Sequence, residues 1–382
     1  MTLFEPNEAQ AQIRDTARAF AQKSLKQVAA SLDREQRFPA DELRALAELG
    51  LMGVNVPDAL GGAEAGAVAY ALAMMEIAQG CASTAVTMAV NNMVAETIVK
   101  FGTPEQQRRY VPEIASGRFR AASFALSEPH CGSDAAALRT TARRDLRGWV
   151  LSGAKQWITS GDVAGVIIVW ARTADAPGTP PKGISCFLVE GGTKGLAIGK
   201  HEDKMGLRAS STVALAFDEL HLPTSALLGA EGQGFAIAMS ALDGGRIGIA
   251  SQAIGIGTAA LEEAVRYARD RRAFGKPIGD YQGIGFQLAD VDTELAAARL
   301  LTLRAAALKE AGSPFTREGS MAKLFASEKA NRACDIAVQV HGGYGYIDEF
   351  PAERHYRDAR VTTLYEGTSE IQRVVIARDL LR

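Results

Sequence analysis

The order of residue patterns along the chain predicts an α+β multidomain protein. An N-terminal all-α domain spans 1–119, a middle antiparallel β domain 120–228, and a C-terminal four-helix bundle 229–382. Three observations carry this prediction. Apolar residues recur at helical spacing up to residue 118. From Phe119 the texture turns to short β-rich runs divided by Gly and Pro clusters. From Gln233 the helical period returns and persists. Strands and helices never alternate as βαβ units, so a nucleotide-binding parallel sheet is not expected.

The first part contains helices over 8–32, with Ile13, Ala17, Phe20, Ala21, Leu25 and Val28 on one face, and over Asp41–Leu49, closed by Gly50. After the turn at Gly61-Gly62 come Ala67–Gln79 and Ser83–Phe101, the latter ended by Gly102. Thr103-Pro104-Glu105-Gln106 then starts another helix, with Thr as N-cap, Pro at the first position and Gln three residues on. Strands are predicted at Ala121–Leu126, Leu138–Arg144, Trp149–Ser152, Gly165–Ala171, Ile184–Val189 and Val213–Phe217, with turn clusters at Ala176–Gly183 and Gly191–Gly195. Three long helices follow at 233–272, 283–311 and 318–340, with a break at Gly312-Ser313-Pro314. Arg360–Leu364 reads as a β-prone run, and a shorter fourth helix begins near Ser369.

At 382 residues the chain can hold two or three domains with ample core, and 47% hydrophobic and 23% charged residues are ordinary for a globular protein. A net charge of −2 gives no global field to recruit nucleic acid or an anionic membrane. No apolar run approaches the roughly 18 residues of a membrane span. The start, MTLFEPNEAQ, has two acids and no apolar signal core. Cys81, Cys131, Cys186 and Cys334 lie far apart, and the five histidines form no H-x-x-x-H or H-E-x-x-H. A reduced, soluble, cytoplasmic protein without a metal is expected.

Gly244, Gly245, Gly248, Gly255 and Gly257 all fall within one predicted helix. Each costs about 1 kcal/mol of helix propensity against Ala. Close helix packing suits Gly255 and Gly257; close approach of a ligand suits Gly244-Gly245, between Asp243 and Arg246. Gly255–Ala260 fits the dinucleotide pattern G-x-G-x-x-A but follows no strand, so it carries no weight.

Chemistry-bearing residues gather in three further stretches. Glu366 stands on a short Gly-hinged loop before the last helix. Gly367 allows close approach, and Thr368 and Ser369 offer hydroxyls and helix-start N–H groups to phosphate or carbonyl oxygens. A capped terminal helix with a surface Glu is the plain alternative. Phe124-Ala-Leu-Ser-Glu-Pro-His-Cys-Gly-Ser-Asp134 closes a strand and opens a polar loop, and can equally be an ordinary turn. Lys155-Gln-Trp-Ile-Thr-Ser-Gly161 puts Trp157 and Thr159 on one strand face, suited to a flat hydrogen-bonding cofactor or to plain β core.

Together ALSEPHCGSD, KQWITSG, DGGR, RDRRAFGKP, QVHGGYGY and YEGTSEIQR resemble the acyl-CoA dehydrogenase family of flavoenzymes, in its order and at similar spacings across essentially the whole chain. FALSEP, KMGLRASST and GGRIGIASQA look most like its short-chain (butyryl-CoA) branch, with Ser127 where many members have Thr. The resemblance implies FAD as cofactor. Phe124, Ala125, Leu126, Ser127 and Ser133, with Trp157, Ile158 and Thr159, would hold the isoalloxazine. Arg271 and Gln282 would reach phosphates or adenine across a subunit boundary. Gln339, Val340, His341, Gly342 and Gly343 would wrap a neighbour's FAD, and Thr368, Ser369 and Glu370 would contact the dinucleotide. Ser133, Asp243, Gly244, Gly245, Arg246 and Gly367 would contact the acyl-CoA. Glu366 would be the base. Some members carry the base on the first bundle helix, where this chain has Gly245, which leaves Glu366 as the candidate. Such shared sites imply an oligomer, in this family usually a homotetramer.

The implied chemistry explains the residue types. A thioester α-proton is a weak acid, so its base must be a carboxylate in a dry pocket, with N–H and hydroxyl donors polarising the thioester oxygen. The implied product is the trans-2-enoyl-CoA, with electrons passing to an electron-transferring flavoprotein. An oxygen-using acyl-CoA oxidase or nitroalkane-oxidase-like relative, and a catalytically silent CoA-ester or flavin binder, remain alternatives. Gln252 and Thr362 resemble short-chain-branch residues that narrow the acyl pocket. That predicts butyryl-CoA over octanoyl-CoA, or a small branched acyl-CoA, unless Gln252 instead faces a neighbouring helix and satisfies a buried carbonyl.

Overall fold

The structure, a computed structural model, describes residues 5–173 and 183–382. The turn cluster expected at Ala176–Gly183, except Gly183, and the first four residues of the N-terminal stretch lie outside the described residues.

Asn7 and Gln10 form a reciprocal capping box that starts α1 (Glu8–Phe20). A π-helical segment, Ala21–Leu25, joins α1 to α2 (Lys26–Glu35), so the predicted helix over 8–32 is one run with an internal irregularity. Then come α3 (Ala40–Glu48), α4 (Gly66–Gly80), α5 (Ala82–Phe101) and α6 (Pro104–Ala115). Thr103 and Gln106 make the predicted capping box of α6. Helices α4 and α5 are buried on almost every face, as helices apolar all round must be.

The middle part is a single eight-stranded sheet of β1 (Ala121–Ala125), β2 (Thr141–Asp145), β3 (Gly148–Thr159), β4 (Ala164–Arg172), β5 (Ile184–Glu190), β6 (Leu196–His201), β7 (Thr212–Pro223) and β8 (Leu227–Leu228). Its order is β6-β7-β3-β2-β4-β5-β8, with β1 added on β4. Pairing is mainly antiparallel, as predicted, but β1 runs parallel to β4 and a single parallel bridge joins Thr141 to Arg172. The Trp149 and Trp157 runs belong to one twelve-residue strand.

The last part holds α7 (Gly234–Asp270), a hairpin of β9 (Arg272–Ala273) and β10 (Lys276–Pro277), α8 (Gln282–Glu310), α9 (Thr316–His341), α10 (Ala352–Arg360) and α11 (Ser369–Leu380). The four predicted bundle helices are α7, α8, α9 and α11. The run Arg360–Leu364 is not extended: α10 leads straight into a 3₁₀ turn at Val361–Thr363. Thr362 and Thr363 bond their hydroxyls back to the Ala359 and Arg360 carbonyls, at 2.6 and 3.1 Å, a local bond that offsets β-branched preference.

The parts lock together by packing. Trp170 of β4 donates its indole N–H to Gly234 O at 2.7 Å, fixing the sheet to the start of α7. A Cβ on Gly255 would fall 2.3 Å from Met75 O, and one on Gly257 2.9 Å from Leu295 Cδ2. Those two glycines are therefore packing glycines, letting α4, α8 and α9 approach α7.

Candidate active site

Glu366 lies between the 3₁₀ turn and α11, in the left-handed backbone region with φ 54°, and Gly367 follows at φ 87°. The hydroxyl of Thr368 accepts from Ile371 N at 3.4 Å and caps α11. Gln372, on the first turns of that helix, donates its side-chain amide to Glu366 O (3.1 Å) and Gly367 O (2.9 Å). The Ser369 hydroxyl is committed to Glu328 at 2.7 Å, leaving only the backbone of that residue for a ligand. Glu370 is exposed.

The carboxylate of Glu366 points toward α7. Its Oε2 is buried with no hydrogen-bond partner, and a Cβ on Gly245 would lie 2.6 Å from it and 3.1 Å from Met93 Sδ of α5. One turn along α7, a Cβ on Gly248 would lie 2.6 Å from the Tyr70 hydroxyl of α4. Gly245 and Gly248 share one helix face, and the Glu366 carboxylate, Met93 and the Tyr70 hydroxyl fill the space their missing side chains leave. Gly244 differs, facing the flexible end of Lys309 at 3.3 Å.

Burial pushes the Glu366 carboxyl up to about 7, against the opposing pull of Lys323 and Arg246. Arg246 is buried and pairs with Asp243 at 2.5 Å; Asp243 also accepts from the Thr316 hydroxyl at 2.6 Å. Lys323 is fully buried and donates to Gly367 O at 2.7 Å. A carboxylate in this setting carries little charge below neutrality and acts as a base above it. The N–H of Glu366 itself makes no hydrogen bond among the described residues.

The 124–133 loop and the Trp157–Thr159 segment come together. Gln156 N donates to Ser127 O at 3.0 Å. Buried Lys155 donates to Leu126 O (3.1 Å) and Glu128 (2.8 Å), and Glu128 also accepts from Arg139 N and Thr140 N. Trp157 sits at a β-bulge with φ 60° and 58% exposure, and Thr159 is half-buried beside it while Ile158 points inward. Ala125 and Leu126 are buried, Phe124 packs on Trp170, and Ser133 is exposed. This part of the sheet and Glu366 share α5, since Asn91 accepts from Ala122 N at 2.7 Å and Met93 faces Gly245.

A separate cleft of about 440 Å³ collects Arg271, Val340, His341, Gly342 and Gly343 with Tyr267 and Tyr344. A Cβ on Gly342 or Gly343 would meet nothing within 4 Å. Gln282 and Gln339 are exposed and outside the lining.

Gln252 is fully buried and fully paired, donating to Ala82 O at 2.9 Å and accepting from the Tyr365 hydroxyl. Of the two readings open for Gln252, the structure shows the one in which it faces a neighbouring helix and satisfies a buried carbonyl, not a place on the acyl pocket, and it also holds the residue next to Glu366. Thr362 likewise spends its hydroxyl on Ala359 O. Sequence reasoning missed Lys323, Gln372, Tyr70 and Met93, since a single Lys, Gln, Tyr or Met at helical spacing carries no signal. Glu128 and Lys155 stood inside quoted motifs without a role.

A buried, unpartnered carboxylate oxygen held among α5, α7 and α9 beside two buried cations is the setting of a catalytic base in an enzyme. Residues 7–118, 123–220 and 232–381 match the N-terminal, middle and C-terminal domains of acyl-CoA dehydrogenase respectively. The chain belongs to the acyl-CoA dehydrogenase family. It is similar to the mitochondrial short-chain specific acyl-CoA dehydrogenase of Bos taurus, at 53% identity over 98% of this chain and 90% of that one. Butyryl-CoA dehydrogenase from Megasphaera elsdenii superposes with a TM-score of 0.96, at 39% identity over 99% of this chain and 100% of that one. A chain of the structure described as the electron transferring flavoprotein of Acidaminococcus fermentans superposes with a TM-score of 0.97, at 40% identity over 99% of both.

Proposed function

We propose that this protein dehydrogenates a short straight-chain acyl-CoA to the trans-2-enoyl-CoA, with Glu366 as the base, FAD as cofactor and an electron-transferring flavoprotein as acceptor. The observation that carries the reading is the buried, unpartnered Oε2 of Glu366, set against Gly245 of α7 with its carboxyl raised to about 7. The names of the Bos taurus and Megasphaera elsdenii relatives support the substrate class. The words short-chain and butyryl-CoA in those two names support a short acyl group.

Glu366 removes the α-proton, and its free backbone N–H polarises the thioester oxygen as negative charge builds there. Arg246 and Lys323 keep enough of the carboxylate ionised for this to occur near neutrality. The chain's own residues fit FAD: an exposed indole on a bulged strand, a polar loop tied to that strand, and two glycines open on a basic cleft. Trp157, Thr159 and loop 124–133 would take the flavin ring, and Arg271 with 340–343 of a neighbouring subunit the adenine end, in a homotetramer. When bound, FAD supplies the acceptor for the hydride that leaves the β-carbon.

Glu366→Gln tests the reading. The variant should keep its FAD and bind acyl-CoA. Anaerobic flavin bleaching by butyryl-CoA should slow by at least about 10²–10⁴-fold, the usual worth of a positioned base. Bleaching at the wild-type rate would overturn the assignment.

A further inference from the structure

We infer that Lys323 is the positioning residue of the base, clamping the Glu366 loop through the Gly367 carbonyl and holding the carboxylate ionised by its charge. The inference rests on Glu366 being the base. Lys323 stands on α9 among small and apolar neighbours, with no exposed surface. Burying an ammonium is costly unless it is paired and hydrogen-bonded. Yet its one hydrogen bond goes to a neutral acceptor, Gly367 O at 2.7 Å, and among the described residues it makes no ion pair within 4 Å. Its charge is therefore not spent on an adjacent carboxylate.

The clamp has a conformational reason. Glu366 is a non-glycine residue in the left-handed region, a state that persists only when its surroundings over-determine it. Gly367 O accepts from both Lys323 Nζ and Gln372 Nε2, one donor from α9 and one from α11. Those two donors fix the peptide that follows the base. Only one of them is charged.

Of the two cations that pull on the carboxylate, Lys323 acts first and is the one not paired elsewhere. From α7 comes Arg246, whose guanidinium is already paired with Asp243 and has Arg378 in its field. From α4 comes the neutral Tyr70 hydroxyl, and beside the base the neutral Tyr365, both pushed up by burial and by Glu366 itself. Glu328 and Glu370 face Lys323, but Glu328 is held by Ser369 and Glu370 is exposed. Burial draws Lys323 down to about 8, and Glu366 is the first charge that opposes the fall. Reciprocally, Lys323 is the first charge that lowers Glu366.

The test is the pH profile of anaerobic flavin reduction by butyryl-CoA, from pH 5.5 to 9.5, in the holoenzyme. Lys323→Gln keeps a donor for Gly367 O and removes the charge. Its midpoint should move alkaline by about 1–3 pH units, the usual effect of losing a close opposite charge. Lys323→Met should show the same shift with a lower plateau. Gln372→Met loosens the same carbonyl without changing charge, and should lower the rate evenly with the midpoint in place. A second readout needs no turnover: the gap between the melting temperatures of Glu366-containing and Glu366→Gln proteins widens with pH up to the folded carboxyl's value, so the pH at which it stops widening should rise in the Lys323→Gln background. Should Lys323→Met fail to fold, Lys323→Gln decides. An unmoved midpoint in Lys323→Gln overturns the inference, as would a shift of the same size in Gln372→Met. Wild-type flavin reduction by Glu366→Gln would instead remove the base itself, so the two failures are distinct.

Discussion

Glu366 carries a stability signature as well as a catalytic one. Its folded carboxyl, raised from 4.5 to about 7, binds a proton over a pH range in which the unfolded chain has already released it. Stability contributed by that protonation is present below the unfolded value and is lost as pH rises through the folded one, so the unfolding free energy falls across this window. Glu366→Gln has no carboxylate to ionise and escapes the fall. Melting curves from pH 5 to pH 8 should therefore separate, with the variant increasingly more stable than the wild type as pH rises. Parallel curves would mean that the folded carboxyl is not raised. Gln252 behaves differently at the same scale. Gln252→Gly strips partners from both the Tyr365 hydroxyl and Ala82 O, each unpaired group costing about 1–3 kcal/mol. A lowered melting temperature should precede any change in chain-length preference; an unchanged one would show that water replaces the amide.

Helix α7 shows what a glycine count can and cannot tell. Its five glycines in 243–257 were legible as unusual from propensity alone, and the division between helix packing and room for the Glu366 carboxylate follows the neighbours each would meet. Gly255→Ala puts a methyl group 2.3 Å from a backbone carbonyl that cannot turn away, so about 1–3 kcal/mol of stability should be lost. Gly248→Ala meets only the end of the Tyr70 side chain. Its methyl must displace the buried Tyr70 hydroxyl, and kcat/KM should fall more for hexanoyl-CoA than for butyryl-CoA if this face borders the acyl chain. Equal losses for both substrates would place that face outside the acyl path. The long helices and most strands were readable because their apolar periods are long. Helix α10 was not, because AERHYRDAR is polar throughout and two of its buried residues, His355 and Asp358, are ionisable. Strand β6 was missed as an exposed edge with little apolar signal. Glu366 was visible from its Gly-hinged loop, whereas Lys323 needed the fold, since nothing in the sequence puts α9 under that loop.

Across the whole molecule, the Trp157 face and the Arg271 cleft share no lining residue, although the proposed cofactor is to use both kinds of surface. A second subunit resolves this if the cleft of one copy completes the flavin face of another. The hairpin between Arg271 and Gln282 points to the same arrangement: Phe274 at its tip is 97% exposed with φ 51°, and Tyr346 near the cleft is 86% exposed. Exposed rings beside a basic cleft are an association surface in waiting, since leaving a phenyl group in water forgoes about 1.5–3 kcal/mol of burial. Phe274→Asp should therefore reduce the mass measured by light scattering from that of the proposed tetramer to a smaller species. The ratio of flavin absorbance to protein should fall with it. Arg271→Ala should lower that ratio after dialysis at unchanged mass, because a guanidinium that pairs with phosphate is lost while the apolar contact stays. If Phe274→Asp dissociates the assembly yet retains full flavin after dialysis, the cofactor site lies within one subunit and the shared-site proposal is wrong.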